Sequence, residues 1–205
     1  MSSMPRIAAL ILLSIGLALA WPAGLVLAEG PALPPSLYHG IQMTDTYAEQ
    51  AALPQAVAAG IHYIRFNLRW DDIEPANTAP ATYVWGKYDK LIGDAAAAGF
   101  SLILTVRDNP AWAASTACGP IDLQPARFNA FLTALVGRYG VAPYNVKLWE
   151  LYNEPDNNHP EVASQGGCWG QHAEQYAALL QGAAPIIHAA GGQLVLGGLA
   201  YDYIE

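Results

Sequence analysis

An amide and a carboxylate follow an apolar run in the stretch VKLWELYNEPD, residues 146–156. Proline at 155 disfavours helical backbone at Glu154, so the predicted strand cannot pass directly into a helix there. We therefore expect the side chains of Asn153 and Glu154 to lie at the carboxyl edge of that strand. The alternative is an ordinary turn that carries a solvated glutamate.

A cation lies inside a second predicted strand. Arg65 stands in the stretch YIRFN, between apolar and aromatic residues. A charged side chain in a buried strand is unfavourable unless it is paired. We therefore expect Arg65 to meet a carboxylate. A structural pair with Glu150, or a bond to a backbone carbonyl, satisfies this requirement.

Helix-like segments alternate with apolar strands along the chain, and a glycine typical of a helix C-cap stands before each of four strands: Gly60, Gly99, Gly140 and Gly191. The pattern predicts strands at 37–43, 61–67, 101–107, 146–152 and 193–198. It predicts helices that start near 54 and cover 87–98, 125–139 and 172–190. Such alternation is typical of a parallel α/β fold.

The predicted loops after the strands are long and rich in Trp, Pro, Asp and Asn, whereas the turns before the strands are short. This asymmetry is typical of a (β/α)8 TIM barrel, whose active site lies at the carboxyl ends of its strands. A doubly wound sheet is the alternative, but no glycine-rich phosphate fingerprint follows the first strand. We expect a truncated barrel, with about the first five β/α units in this chain.

The charge pattern excludes several classes of partner. The 205 residues include 17 acidic and 9 basic side chains, for a formal net charge of −8. Lys and Arg are scattered singly, so we predict no nucleic-acid binding. No His or Cys cluster has metal-ligand spacing, so we predict no metal and no cofactor. We predict no specific protein partner.

The first 28 residues differ from the rest, because Arg6 is their only charge and most of the others are apolar. They are typical of a secretory signal peptide cleaved before Glu29. The prediction is a secreted domain of residues 29–205, without stable membrane association after cleavage. The alternative is an uncleaved anchor, since residues 7–28 are about long enough to span a bilayer.

Cys118 and Cys168 are the only two cysteines in the sequence. A cysteine pair in an exported protein suggests a disulfide bond. Both residues fall in loops that follow predicted strands, so the bond would connect neighbouring loops on one face of the barrel. Two unpaired thiols are the alternative.

Several stretches, in order, resemble the clan A glycoside hydrolases, nearest to families thirty-nine, five and forty-two. YIRFNLRWDDIEP resembles their second strand with its inward arginine, and YVWGKYDKLIGDAAAAGFSLILTVRDNPAWA resembles their second helix and third strand. FNAFLTALVGRYG and VKLWELYNEPD resemble the third helix and fourth strand. The resemblance covers residues 36–205 and implies a retaining glycosidase that cleaves β-linked glycans.

The resemblance implies roles for individual residues. Glu154 would be the general acid/base, Asn153 would bind the sugar hydroxyl next to the scissile bond, and Arg65 would contact the nucleophile. A retaining enzyme needs a second carboxylate about 5 to 5.5 Å from the first. Glu150 shares the strand but lies roughly 13 Å from Glu154 at about 3.3 Å per residue, so we expect a structural acid.

The family nucleophile is a glutamate after a seventh strand, so we expect it beyond Glu205 and expect this chain alone to be inactive. Asp108 and Asp202, after the third and fifth strands, are the other carboxylates that reach the same edge. Trp112 and Trp169 are predicted to bind substrate, because aromatic faces pack against the apolar C–H face of a sugar. Loop packing is the alternative for both, and a non-catalytic carbohydrate-binding or scaffolding barrel is the alternative function.

Overall fold

The computed structural model describes residues 39–44, 50–157 and 169–200. In this part of the chain five parallel strands form one sheet in the order β1-β2-β3-β4-β5. The strands are β1 Gly40–Met43, β2 Tyr63–Arg69, β3 Ser101–Arg107, β4 Leu148–Leu151 and β5 Gln193–Val195. The helices are α1 Leu53–Ala58, α2 Trp70–Ile73, α3 Gly86–Ala97, α4 Pro125–Tyr139 and α5 Ala173–Ala189.

The spatial order of the strands equals their order in the chain. Each strand therefore pairs with the next one along the sequence, after a connection that contains a helix. This arrangement is the first part of a (β/α)8 barrel and differs from a doubly wound sheet, in which the strand order reverses. The predicted fold is confirmed.

Most predicted elements are found, with differences at their ends. The third strand and third predicted helix match β3 and α4 to the residue. The fourth strand is shorter than predicted, because only Leu148–Leu151 keeps strand pairing. The four-residue helix α2 was missed, since it follows β2 without a break and is too short to show a helical period.

Three of the four predicted C-cap glycines have the left-handed backbone, with φ of 73°, 90° and 71°: Gly60, Gly99 and Gly191. Gly140 is the C-cap residue of α4, as predicted, but its φ is −73°, outside the left-handed region. The chain continues in right-handed geometry there, and its left-handed residue comes later, at Asn145 with φ of 53°. A glycine is still required at 140, because a Cβ would lie 2.6 Å from the carbonyl oxygen of Val136.

The two faces of the sheet differ most toward the carboxyl ends of its strands. In β2 the side chains of Ile64, Phe66 and Leu68 are buried in the hydrophobic core. The alternate residues share the other face, which carries Arg65 and Asn67. Register pairs Asn67 with Thr105 and Thr105 with Glu150, so polar groups from three strands lie side by side on this inner face. The inner face therefore holds the groups that can do chemistry.

The core on the apolar side is rich in aromatic rings around Trp70, which is 1% exposed. Its ring stacks on Phe131 at a centroid distance of 5.3 Å and meets Phe128 edge-on at 5.4 Å. Edge-to-face and offset pairs of this kind add to the free energy gained from burial alone. Trp70 thereby connects α2, at the end of β2, to helix α4.

Asp89 joins α3 to α4 through a cluster of hydrogen bonds. Arg138 donates from Nε to Asp89 Oδ1 at 2.7 Å and from Nη2 to Oδ2 at 2.6 Å. The hydroxyls of Tyr139 and Tyr144 donate to the same carboxylate at 3.0 and 3.3 Å. The Arg138 hydrogen bonds are the main reason that the pKa of Asp89 lies below its ordinary value. The carboxylate is therefore ionised and paired in the folded protein.

We predict that Asp89→Asn lowers the free energy of unfolding by about 1 to 2 kcal/mol at pH 7, because it removes a charge-assisted pair. Asp94→Asn, in the same helix, removes only an exposed pair with Lys90 and is the matched control. Since folding lowers the pKa of Asp89, its contribution is present above pH about 4 and is lost as the pH falls further. Urea denaturation at pH 7 and pH 3 measures both effects. An equal loss in the two variants at pH 7, or a gap between wild type and Asp89→Asn that does not shrink at pH 3, contradicts the prediction.

Candidate active site

An arginine–glutamate pair occupies the centre of the inner face. Arg65 donates from Nε to Glu150 Oε2 at 2.5 Å and from Nη2 to Glu150 Oε1 at 2.8 Å. The side chains are 22% and 4% exposed, respectively. Arg65 therefore meets a carboxylate, as expected, and its partner in the structure is Glu150.

Glu150 accepts two further hydrogen bonds. Thr105 Oγ1 donates to Oε2 at 2.7 Å, and the backbone N–H of Gly198 donates to Oε1 at 3.0 Å. Each carboxylate oxygen thus has two donors, which offsets the cost of removing the charge from water. With both oxygens occupied, Glu150 is the structural acid that the sequence predicted.

Arg65 also contacts the first residue of the Asn-Glu-Pro stretch. Its Nη2 donates to Asn153 Oδ1 at 2.9 Å, and its Nη1 donates to Gln42 Oε1. A guanidinium can only donate, so this bond fixes the orientation of the Asn153 amide. No described residue accepts a hydrogen bond from Asn153 Nδ2. The amide N–H groups are therefore available to a ligand.

The backbone at the carboxyl end of β4 is unusual. Tyr152 and Glu154 have φ of 60° and 47°, in the left-handed region that non-glycine residues rarely adopt. Tyr152 N–H donates to Val106 O at 2.8 Å, and Glu154 N–H donates to Gly198 O at 2.8 Å. These bonds hold a conformation that costs of order 1 kcal/mol or more per residue. The residue before proline avoids the right-handed helix, as expected, but it does so with positive φ.

Residues 154–157 form a turn. The N–H of Asn157 donates to the carbonyl oxygen of Glu154 at 3.0 Å, and Pro155 occupies the second turn position, where its fixed φ is favourable. The alternative of an ordinary turn is thus correct for the backbone. It does not exclude a functional carboxylate, because the turn begins at the strand edge with Glu154 half-buried.

The carboxylate of Glu154 makes one hydrogen bond in the described part of the chain. Asn157 Nδ2 donates to Glu154 Oε2 at 3.3 Å. Oε1 has no hydrogen-bond partner among the described residues, and it is not a buried atom. One oxygen of Glu154 is therefore held by the protein, and the other is open to a ligand.

The segment after β5 contacts the Asn-Glu-Pro turn. The sequence analysis did not predict this contact. A Cβ on Gly197 would lie 3.0 Å from Tyr152 O and 3.1 Å from Pro155 Cδ, so a larger residue would push these neighbours away. The backbone N–H of Ala200 donates to Asp156 Oδ1 at 2.9 Å. Asp156 is thus a structural residue. The Gly-Gly pair in VLGGLA was the available signal, since paired glycines in a strand mark a close approach of backbones.

The two predicted sugar-binding tryptophans lie in different surroundings. Trp112 is partly buried, donates from Nε1 to Glu74 O at 3.0 Å, and has Arg127 at 5.3 Å from its ring centroid. Its substrate-binding role stays a prediction. Trp169 is 1% exposed and packs against Tyr152 at 5.0 Å. It therefore presents no ring face to a sugar, and loop packing, the alternative, describes its position.

Asp108, which follows the third strand at the same edge of the sheet, is already paired with arginine side chains. Asp108 is 9% exposed and lies 3.3 Å from Arg107 Nε and 3.6 Å from Arg69 Nη1. Burial raises the pKa of the neighbouring Tyr152, and the negative charge of Asp108 adds to that effect. Asp108 is therefore a member of an ion-pair cluster. Asp202 lies outside the described residues.

Other sequence predictions fall partly outside the described residues. Cys118 is 4% exposed and is not a free thiol, but Cys168 lies outside, so their pairing stays a prediction. Residues 1–28, with the predicted signal or anchor, lie outside as well. Within ranges 39–44, 50–157 and 169–200, no helix is long and apolar enough to cross a membrane. The same ranges contain no cluster of His, Cys, Asp or Glu able to hold a metal ion.

Known proteins share this fold. A family 39 glycoside hydrolase from Bacteroides cellulosilyticus WH2 is 20% identical, with TM-score 0.59 over 78% of this chain and 31% of that one. Thermotoga maritima Cel5A, solved in complex with cellobiose, is 16% identical, with TM-score 0.58 over 80% and 53%. The beta-glycosidase BGL167 is 14% identical, with TM-score 0.62 over 82% and 56%. No protein of curated function matches the chain in sequence.

Together, the parallel β/α units and these structural neighbours define a clan A glycoside hydrolase. Residues 33–200 match the family description "Cellulase (glycosyl hydrolase family 5)", so the chain belongs to glycosyl hydrolase family 5. This result selects one of the three families that the sequence resembled. The chain spans only 31% to 56% of the length of the three structures described above.

We predict that Glu150→Gln lowers the free energy of unfolding by about 3 kcal/mol, because it leaves Arg65 without its counter-charge. Glu174→Gln is the matched control, since Glu174 is exposed in the first turn of α5 and is expected to cost at most about 1 kcal/mol. Chemical denaturation of both variants measures the difference. Equal stabilities of the two variants would show that the pair does not hold the inner face together.

Proposed function

We propose that the protein is a secreted retaining glycoside hydrolase that acts on β-linked glycans, with Glu154 as its general acid/base. One observation carries the proposal. Glu154 stands at the carboxyl end of β4 with Oε1 open, while the neighbouring Glu150 has both oxygens occupied. Of the two glutamates in this stretch, only Glu154 can exchange a proton with a ligand.

The chemistry needs the properties that this arrangement provides. In a retaining glycosidase a carboxylic acid gives its proton to the leaving oxygen while a second carboxylate attacks the sugar carbon. The first group then takes a proton from the water that releases the sugar. A half-buried carboxyl group with one open oxygen on a fixed backbone suits both proton transfers, since proton transfer requires hydrogen-bond distance.

Asn153 is proposed to bind the sugar hydroxyl next to the scissile bond. Arg65 holds the Oδ1 end of the amide, so the Nδ2 end is left to donate to a hydroxyl oxygen. Glu154 is the next residue, so a sugar bound through Asn153 lies beside the acid. The ion pair with Glu150 fixes the position of Arg65, and Arg65 in turn fixes the orientation of the Asn153 amide.

The nucleophile is proposed to be a carboxylate outside the described residues. Glu150 and Asp108 are both ion-paired, and Glu150 is also four residues from Glu154 along the strand. The sequence resemblance gives Arg65 a contact with that nucleophile. The polar inner face, with Gln42 on the far side of Arg65, supports an arginine that organises several side chains.

The substrate is proposed to be a β-linked glucan, with xylan and mannan as the other polymers to compare. The family description, cellulase, supports glucan as the first substrate to test. Residues 1–28 support secretion through their composition, an apolar stretch with a single charge. Export is consistent with an enzyme whose substrates are large extracellular polymers.

We predict that Glu154→Gln in the full-length protein reduces turnover of β-glucan by about 100-fold or more, the contribution expected of a general acid. Aryl glycosides with good leaving groups lose less in the first step, because their leaving oxygen needs no proton. Glu174→Gln is the matched surface control. Initial rates on both substrate types, measured for all three proteins, give the result.

Near wild-type turnover of β-glucan by Glu154→Gln would contradict the assignment of Glu154. If the wild-type protein binds β-glucan, xylan or mannan in affinity electrophoresis but hydrolyses none of them, the non-catalytic alternative is correct. These two outcomes are distinct, because the second one is read from the wild-type protein alone.

A further inference from the structure

We propose that Asn157 is a positioning residue that determines which oxygen of Glu154 carries the catalytic proton. The inference rests on the proposed function, because it requires Glu154 to be the acid/base. Asn157 follows Glu154 by three residues, and a side-chain and a backbone hydrogen bond join the two residues.

The geometry of the contact is specific. Asn157 Nδ2 lies 3.3 Å from Glu154 Oε2, and Oε1 has no hydrogen-bond partner among the described residues. Asn157 is 4% exposed, so few water molecules can reach its amide and compete for this hydrogen bond. Glu154 is half-buried, and its open oxygen reaches solvent. The two oxygens of the carboxyl group are therefore chemically different before any substrate binds.

An amide N–H donates a hydrogen bond and cannot accept one. Oε2 accepts this bond more strongly when it carries no proton, because a protonated oxygen is the weaker acceptor. In the acid form of Glu154 the bond therefore favours the proton on Oε1, which is the oxygen open to a substrate. Asn157 thus points the acid proton toward the glycosidic oxygen.

The same bond persists through both halves of the reaction. In the first half the proton passes from Oε1 to the glycosidic oxygen as the bond from that oxygen to the sugar carbon breaks, and a second carboxylate bonds to the carbon. In the second half Oε1 takes a proton from water as the water oxygen bonds to the sugar carbon and the second carboxylate leaves. Oε2 accepts from Asn157 throughout, so the carboxyl group does not have to rotate.

The surrounding backbone keeps Asn157 in place. Its N–H donates to the carbonyl oxygen of Glu154 at 3.0 Å, which closes the turn that contains Pro155. Asp156, in the same turn, accepts the N–H of Ala200 at 2.9 Å. The distance between Asn157 and Glu154 is therefore set by a rigid turn of four residues. A pre-organised contact of this kind costs little at the moment of reaction.

The test compares Asn157→Asp and Asn157→Leu with wild type in the full-length protein. Asn157→Asp keeps the size of the side chain, and Asn157→Leu introduces no charge beside Glu154. Both variants keep the backbone N–H of the turn and remove the side-chain N–H donor. Rates are measured on two β-glucosides, one with an alkyl leaving group and one with a dinitrophenyl leaving group. We expect kcat/KM to fall about 10-fold or more for the alkyl glucoside, part of the general-acid contribution, and less than about 3-fold for the dinitrophenyl glucoside.

The ratio of the two losses separates positioning from structural damage. A variant that is partly unfolded loses the same factor on both substrates, because only the amount of active protein changes. If each Asn157 variant loses the same factor on the alkyl glucoside as on the dinitrophenyl glucoside, the inference is overturned. Wild-type rates on both substrates would overturn it as well.

Glu154→Gln, measured on the same two substrates, distinguishes failure of the inference from failure of the proposed function. If Glu154→Gln depends strongly on the leaving group and the Asn157 variants do not, Glu154 remains the acid and Asn157 has no positioning role. If Glu154→Gln shows no dependence on the leaving group, the proposed function fails and the role of Asn157 fails with it.

Discussion

The bidentate ion pair between Arg65 and Glu150 is the interaction on which the rest of the site depends. It joins opposite charges on β2 and β4 across the inner face of β3, and removing either charge would leave the other unpaired. Four donors satisfy the two oxygens of Glu150, and they come from β2, β3 and the segment after β5. A single buried carboxylate therefore fixes the relative positions of three parts of the chain. Arg65 then extends this order to Asn153.

The left-handed backbone at Tyr152 and Glu154 is held by hydrogen bonds to Val106 and Gly198, and Gly198 also belongs to the Glu150 network. Gly198 donates its N–H to Glu150 and accepts the N–H of Glu154 through its carbonyl oxygen. The same glycine thus couples the buried structural acid Glu150 to the half-buried candidate acid Glu154. The turn at residues 154–157 directs the chain away from the axis of β4. The carboxyl group of Glu154 therefore stays at the edge of the strand. One glutamate supports the scaffold, and the other one is left for chemistry.

Sequence reasoning predicted the fold well because its signals are local. Helix-ending glycines and apolar strands follow from backbone conformation and burial, and β3 and α4 were predicted to the residue. The Asn153–Glu154 edge was also predicted, because proline restricts the residue before it. The burial of Trp169 was not expected, since nothing in its own neighbourhood shows that Tyr152 and Tyr176 pack against it.

The parts of the site that sequence missed are contacts between distant segments. Gly198 lies 48 residues from Glu150, and Thr105 lies 45 residues from it. No periodic pattern reports such a contact, because it depends on strand register and on the path of the chain after β5. The glycine pair at 197 and 198 was visible in the sequence. Its role depends on Tyr152 and Pro155, which pack directly against Gly197 from a distant part of the chain.

The central claim is that Glu154 is the acid/base of a retaining glycosidase, and azide rescue of Glu154→Ala tests it most directly. The variant is incubated with dinitrophenyl β-glucoside and sodium azide, and the anomeric configuration of the glucosyl azide is determined by NMR. If Glu154 is the acid/base, the second carboxylate still forms its intermediate and azide attacks from the opposite face. The account therefore predicts β-glucosyl azide. An α-glucosyl azide would show that azide replaces a missing nucleophile and would contradict the account.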